Sequence, residues 1–163
     1  MRSRLVGFAV RYLAEYLSKI ERATEGLGPD QIWWRANERS NSIANLLLHL
    51  DGNLNQWVVT GLLGEPTTRR RSAEFEARAG GSRDELLGRL ARTVERCRSG
   101  IVELSDEDLA AVRRIQTYEV DGYAALFHAV EHMSYHTGQI VLLAKQLLPP
   151  TRVIEFYPQH RGE

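Results

Sequence analysis

The sequence is poor in three things: it has one cysteine, Cys97, no excess of charge of either sign, and no apolar run long enough to span a bilayer. A single cysteine excludes an intrachain disulfide and suits a reducing, cytoplasmic setting. The 21 Lys and Arg cancel the 21 Asp and Glu, so no global field draws the chain to nucleic acid or to an anionic membrane, and no basic face is evident. Near the N-terminus the apolar stretch is interrupted by Arg11, Glu15, Lys19 and Glu21, which neither a secretory segment nor a membrane span would tolerate. Internal repeats and low-complexity segments are absent too. These absences lead us to expect a cytoplasmic protein, without membrane or nucleic-acid partners, forming one domain over residues 1–163.

What is present is helical periodicity. From about Arg4 to Gly26, the residues Leu5, Ala9, Tyr12, Leu13, Tyr16, Leu17 and Ile20 recur at three- and four-residue spacing, one face of an amphipathic helix. Ser40-Asn41-Ser42 offers caps for a second helix through Ile43, Leu46, Leu47, Leu50, Leu54, Trp57 and Val58, stopped by Gly61, Gly64 and Pro66. The run Arg69-Arg70-Arg71 that follows reads as a solvated loop. Ser82 with Glu85 forms a capping box for a third helix over about 83–104, in which Cys97 joins the apolar series Leu86, Leu90, Val94, Ile101 as a small core residue. Val112–Val120 reads as irregular or a short extended piece. Asp121 opens a fourth helix that Pro149-Pro150 ends near Leu148. Four such helices predict an all-α four-helix bundle whose core joins Leu13, Leu47, Leu90 and Leu142, with no helix apolar all round.

Four of the five histidines fall inside these helices. His128, His132 and His136 are four apart, so they form a stripe on the fourth helix, drifting about 40° per step, and Gln139 continues it. Two imidazoles at this spacing can chelate one divalent ion, but a pair holds an ion poorly. His49 supplies a third imidazole from the second helix, where Ser42, Asn45, Asn53 and Gln56 make a polar stripe on an otherwise apolar element. Polar groups in a core cost a few kcal/mol unless satisfied, so the stripe implies a partner, water or ion. Spacing does not choose between the pairs His128–His132 and His132–His136.

The stretch Asn41–Pro66, NSIANLLLHLDGNLNQWVVTGLLGEP, and His128–Ile140, HAVEHMSYHTGQI, resemble the DinB superfamily (DinB/YfiT-like metal-binding proteins), in particular a functionally uncharacterised branch with the same HL-GN--QW wording. The resemblance covers nearly the whole chain. It implies a four-helix bundle, often homodimeric, with a divalent ion, zinc or nickel, held by His49, His132 and His136. The family's last ligand is followed by Arg-Gly-Gln or Thr-Gly-Gln, and His136-Thr137-Gly138-Gln139 matches. That leaves His128, Asn53 and Gln139 as pocket residues or supports for the ligands.

For activity, the resemblance implies a metal-dependent S-transferase that uses a low-molecular-weight thiol, or a related hydrolase or isomerase acting on a small molecule. Three histidines leave coordination positions open, as in catalytic sites, and Arg113 and Arg114 are candidates for holding a cofactor's carboxylates. The competing class is a non-catalytic, stress-associated metal-binding protein, because no general acid stands out: Glu131 projects roughly 100° from His132 on the helix.

Overall fold

The computed structural model describes residues 2–157; Met1 and residues 158–163 of the expected 1–163 domain, including His160, the fifth histidine, lie outside the described residues. Four long helices enclose the core: α1 (Arg2–Thr24), α3 (Ile43–Leu54), α5 (Arg83–Glu103) and α7 (Gly122–Leu147). Both α1 and α3 pack on α5 and on α7, so α1 and α3 sit diagonally. Shorter pieces decorate this frame: α2 (Pro29–Trp33), α4 (Arg71–Glu76), α6 (Asp106–Ala110), β1 (Arg113–Ile115) and β2 (Tyr118–Val120). The chain is all-α apart from that two-stranded hairpin. No helix among the described residues is long and apolar enough to cross a membrane.

On α1, Val6, Ala9, Leu13, Ile20 and Ala23 are buried at helical spacing, and Gly26 ends the helix at φ +83°, a left-handed conformation that favours glycine. Ser42 starts α3 by accepting from Asn45 N–H at 3.1 Å, while Asn45 Oδ1 accepts from the Ser42 amide at 3.1 Å. Asp121 caps α7 through the Ala124 amide at 2.7 Å.

Contrary to expectation, α3 is not amphipathic: every residue in it except Leu48 is buried. It runs through the middle, flanked by α5 and α7 and covered by α4. Each polar side chain on α3 therefore needs a partner, because an unsatisfied buried polar group costs about 1–3 kcal/mol. Asp51 finds Arg89 Nε at 2.5 Å and Thr93 Oγ1 at 2.6 Å on α5. Asn45 accepts from Arg35 at 2.6 Å and donates to the Glu74 carbonyl at 2.8 Å. Half of the polar stripe thus ties down the loop between α3 and α5, leaving His49, Asn53 and Gln56 on the side that faces α7 and the hairpin.

Beyond Leu54 the helix widens into a π-helical stretch, Asn55–Thr60, closed by five-residue bonds such as Gly61 N–H to Gln56 O at 3.0 Å and Leu63 N–H to Val58 O at 3.0 Å. Such widenings recur at functional sites, and this one contributes Trp57 to the pocket described below.

Two further expectations need correction. Leu142 is 59% exposed, because the buried face of α7 is built from Ala125, Ala129, Met133, Thr137, Ile140 and Ala144. The 69–71 arginine run is not uniformly solvated: Arg70 and Arg71 are exposed, but Arg69 turns inward with its side chain 8% accessible. The 112–120 segment takes its extended alternative, as an antiparallel hairpin pairing Arg113 with Val120 and Ile115 with Tyr118, anchored by the buried Ile115.

Candidate metal centre

α3 and α7 bring His49, His132 and His136 together, with one ring nitrogen from each lying within 4.8 Å of the other two. His49 Nε2 and His132 Nε2 are 3.1 Å apart, and the His132 and His136 ring centroids are 4.5 Å apart. A tetrahedral ion with metal–nitrogen bonds of about 2.0–2.1 Å separates its ligand nitrogens by roughly 3.3 Å, so the His49–His132 approach fits one edge of such a site. The donor set is three imidazoles without a thiolate, which suits zinc, nickel or a similar borderline ion.

Burial favours the neutral, ligating form of His132 and His136. It pushes His132 down to about 3, helped by the neighbouring imidazoles, and it also lowers His136 against the opposing bond from Gln139. His132 Nδ1 is buried and lacks a hydrogen-bond partner. His136 Nδ1 lies 2.7 Å from Gln139 Oε1, which accepts a hydrogen bond from Nδ1–H and leaves the lone pair on Nε2.

His128 stands apart from the three. Its ring centroid is 3.9 Å from Trp57 and 5.3 Å from His132, and burial lowers its pKa as well. Asn53 Nδ2 is 3.4 Å from His128 Nε2, while Asn53 Oδ1 is buried without a partner.

The residue missed by sequence reasoning is Glu74, on α4. Its Oε2 lies 2.9 Å from His49 Nδ1, and Arg69 grips it from the other side, Nε to Oε1 at 2.7 Å and Nη2 to Oε2 at 2.9 Å. Burial alone would raise this carboxyl, but the bonds from Arg69 and His49 outweigh it and hold it below the usual carboxylate range. Nothing in the spacing of a short connecting helix marks such a residue. Arg113, by contrast, donates to the Gly61 and Leu62 carbonyls at 3.1 Å each and fastens the hairpin to the end of the π-helical stretch.

A family model described as "Protein of unknown function (DUF1572)" matches residues 4–151. The chain belongs to this family. Two solved structures show the same fold as this DUF1572 member. A conserved protein from Enterococcus faecalis superimposes with a TM-score of 0.74 at 15% identity, over 86% of this chain and 95% of its own. A DinB-like protein (YjoA) from Bacillus subtilis does so with a TM-score of 0.65 at 18% identity, over 94% and 97%. No curated protein matches the chain in sequence. The DUF1572 chain therefore has a DinB-like fold, in agreement with the resemblance carried by its motifs.

In this family member His49 and His132, with His128, border an open cavity of about 400 Å³, whose other walls include Trp57, Arg69, Arg71, Gln116, Tyr118 and Val120, while His136 lies outside its lining. No carboxylate lines it among the described residues. Arg71 lies over the Phe75 ring at 5.0 Å, and Phe75 in turn packs on His49 with ring centroids 4.7 Å apart.

Proposed function

We propose that this DUF1572 protein, acting as one domain over 1–163, binds a divalent metal ion, zinc or nickel, through His49, His132 and His136 and serves as a metal-dependent transferase for a low-molecular-weight thiol. The observation that carries the reading is the convergence of three imidazoles from two facing helices, two of them, His49 and His132, 3.1 Å apart at Nε2 and both on the wall of an open cavity. A bound ion would act as a Lewis acid and lower the pKa of a thiol or water toward neutrality.

The chain's own residues would then do the binding and orienting. Arg69 is already neutralised by Glu74, so Arg71 is the cation available to a ligand entering the cavity, and with no acidic wall the pocket favours an anionic small molecule such as a carboxylate-bearing thiol. Trp57, packed at a tilt against His128, gives an apolar surface on the far side. Asn53 and His128, both on the cavity wall, offer polar contacts to the electrophile or leaving group. The reading places the protein in the thiol-rich cytoplasm, as a homodimer.

The test is elemental analysis of the purified protein followed by a screen pairing thiols with electrophiles. About one zinc or nickel per chain together with turnover would support the proposal. Stoichiometric metal without turnover would favour the non-catalytic class, and metal-free protein that takes up no zinc or nickel would remove the basis for both.

A further inference from the structure

We propose that Glu74, held by Arg69, is the positioning residue for His49: it fixes the imidazole as the Nδ1–H tautomer and thereby reserves Nε2 for the metal. This rests on the metal-site reading above, but its central claim concerns the metal-free protein and can be tested there. An ionised carboxylate only accepts hydrogen bonds, so the 2.9 Å contact between Glu74 Oε2 and His49 Nδ1 requires the proton on Nδ1. In a neutral ring the lone pair is then on Nε2, the atom that faces His132 Nε2 at 3.1 Å. Arg69 Nη2 also comes within 3.2 Å of His49 Nδ1. Both are donors in this arrangement, and both serve Glu74 Oε2, so the short approach reflects a shared acceptor.

The pair occupies a built slot. A Cβ at position 52 on α3 would fall 2.1 Å from Glu74 Oε1 and 2.9 Å from Arg69 Nε, so Gly52 is what admits these two side chains against the helix. Arg69 is fixed from its far side as well, since Nη1 donates to Gln56 Oε1 at 2.7 Å. That same oxygen accepts from Gln116 Nε2 at 2.6 Å. Gln116 sits at the hairpin turn with φ +56°, the one non-glycine residue at positive φ among those described. A continuous chain thus runs from the hairpin at the cavity mouth, through Gln56, Arg69 and Glu74, to the ring of His49. The other two ligand candidates have weaker support: His136 meets the neutral amide of Gln139, and His132 Nδ1 has no partner. A carboxylate behind a ligating histidine fixes its orientation and raises its basicity, and losing such a partner costs about 10–100-fold in metal affinity.

The experiment compares wild type with Glu74→Gln, nearly isosteric, by imidazole 15N NMR on the metal-free proteins at about pH 8, where histidines are neutral, and by zinc titration against a chelator. Wild type should show His49 with a protonated Nδ1 and a bare Nε2. The variant should admit the Nε2–H tautomer and lose about 10–100-fold in zinc affinity. If the variant fails to fold, the wild-type spectrum still decides: a His49 carrying its proton on Nε2 overturns the proposal. So does an unchanged tautomer in a folded variant, or undiminished zinc affinity where wild type binds zinc. If wild type binds no zinc but the tautomer shifts in the variant, the metal reading fails while the positioning role of Glu74 on His49 stands.

Discussion

At the scale of single residues, burial decides what each group can do. Cys97 is fully buried, its Sγ 3.9 Å from the Leu54 carbonyl, and burial pushes its thiol up to about 12, which rules it out as a nucleophile at neutral pH. Thiol reagents at pH about 8 should therefore leave the native protein unmodified and label it fully in guanidinium; rapid labelling of folded protein would contradict the core assignment. The histidines allow a sharper discrimination. His49→Ala, His132→Ala and His136→Ala should each abolish tight zinc binding in an equilibrium titration, because two imidazoles cannot hold the ion in a fixed open geometry. His128→Ala should weaken binding by about 10–100-fold at most, since its ring packs against Trp57 and is not one of the three clustered imidazoles. Loss of metal in His128→Ala with retention in His136→Ala would shift the ligand assignment by one helical turn. The histidines were legible in the sequence because the spacing of four on one helix is itself geometry. Glu74 and Arg69 were not, because contacts made by a connecting loop leave no periodic trace, and an arginine run looks the same whether its members point out or in.

At the scale of elements, the caps were the most legible features, since Ser82 with Glu85 and Asp121 before α7 act through neighbours in sequence. The Ser82 hydroxyl accepts from the Glu85 amide at 3.3 Å, and Glu85 Oε2 accepts from the Ser82 amide at 2.7 Å. That backbone bond, with the Ser82 hydroxyl, holds the Glu85 carboxyl below its usual value. A depressed carboxylate adds stability above its unfolded pKa, near 4.3, and loses it as pH falls through the folded value. Ser82→Ala should cost about 1 kcal/mol near pH 7, and the difference between wild type and Glu85→Gln should shrink below about pH 4; urea denaturation at several pH values would show this, and a pH-independent difference would contradict it. Two elements were read less well. The π-helical stretch follows from how Trp57 and Gln56 meet α7 and the hairpin, which pattern alone does not encode. The inward face of α7 was misplaced at Leu142 because it is made largely of small residues, Ala125, Ala129 and Ala144, while larger side chains sit outside.

At the scale of the whole molecule, those outward side chains bear on assembly. The homodimer implied by the DinB resemblance needs an exposed apolar face; of the three tryptophans, Trp57 is only 5% exposed and Trp33 Nε1 donates to the Gly81 carbonyl at 3.1 Å, while Trp34 is 40% exposed. A contiguous apolar patch lies between α1 and α7, where Phe8 is 53% and Phe127 66% accessible. Together with Leu5, Tyr12 and Val130 they border a groove of about 300 Å³ without a charged lining residue. A second copy related by a twofold axis can present this groove to itself, the self-complementary geometry of most homodimers. We therefore expect light scattering to give about twice the 18.5 kDa chain mass at micromolar concentration. Phe127→Glu should yield a folded monomer, because desolvating a carboxylate inside an apolar contact costs several kcal/mol, and it should keep zinc affinity, because Phe127 lies outside both the histidine cluster and the cavity it borders. A monomeric wild type would sink the dimer, and a dimeric Phe127→Glu would move it to another face.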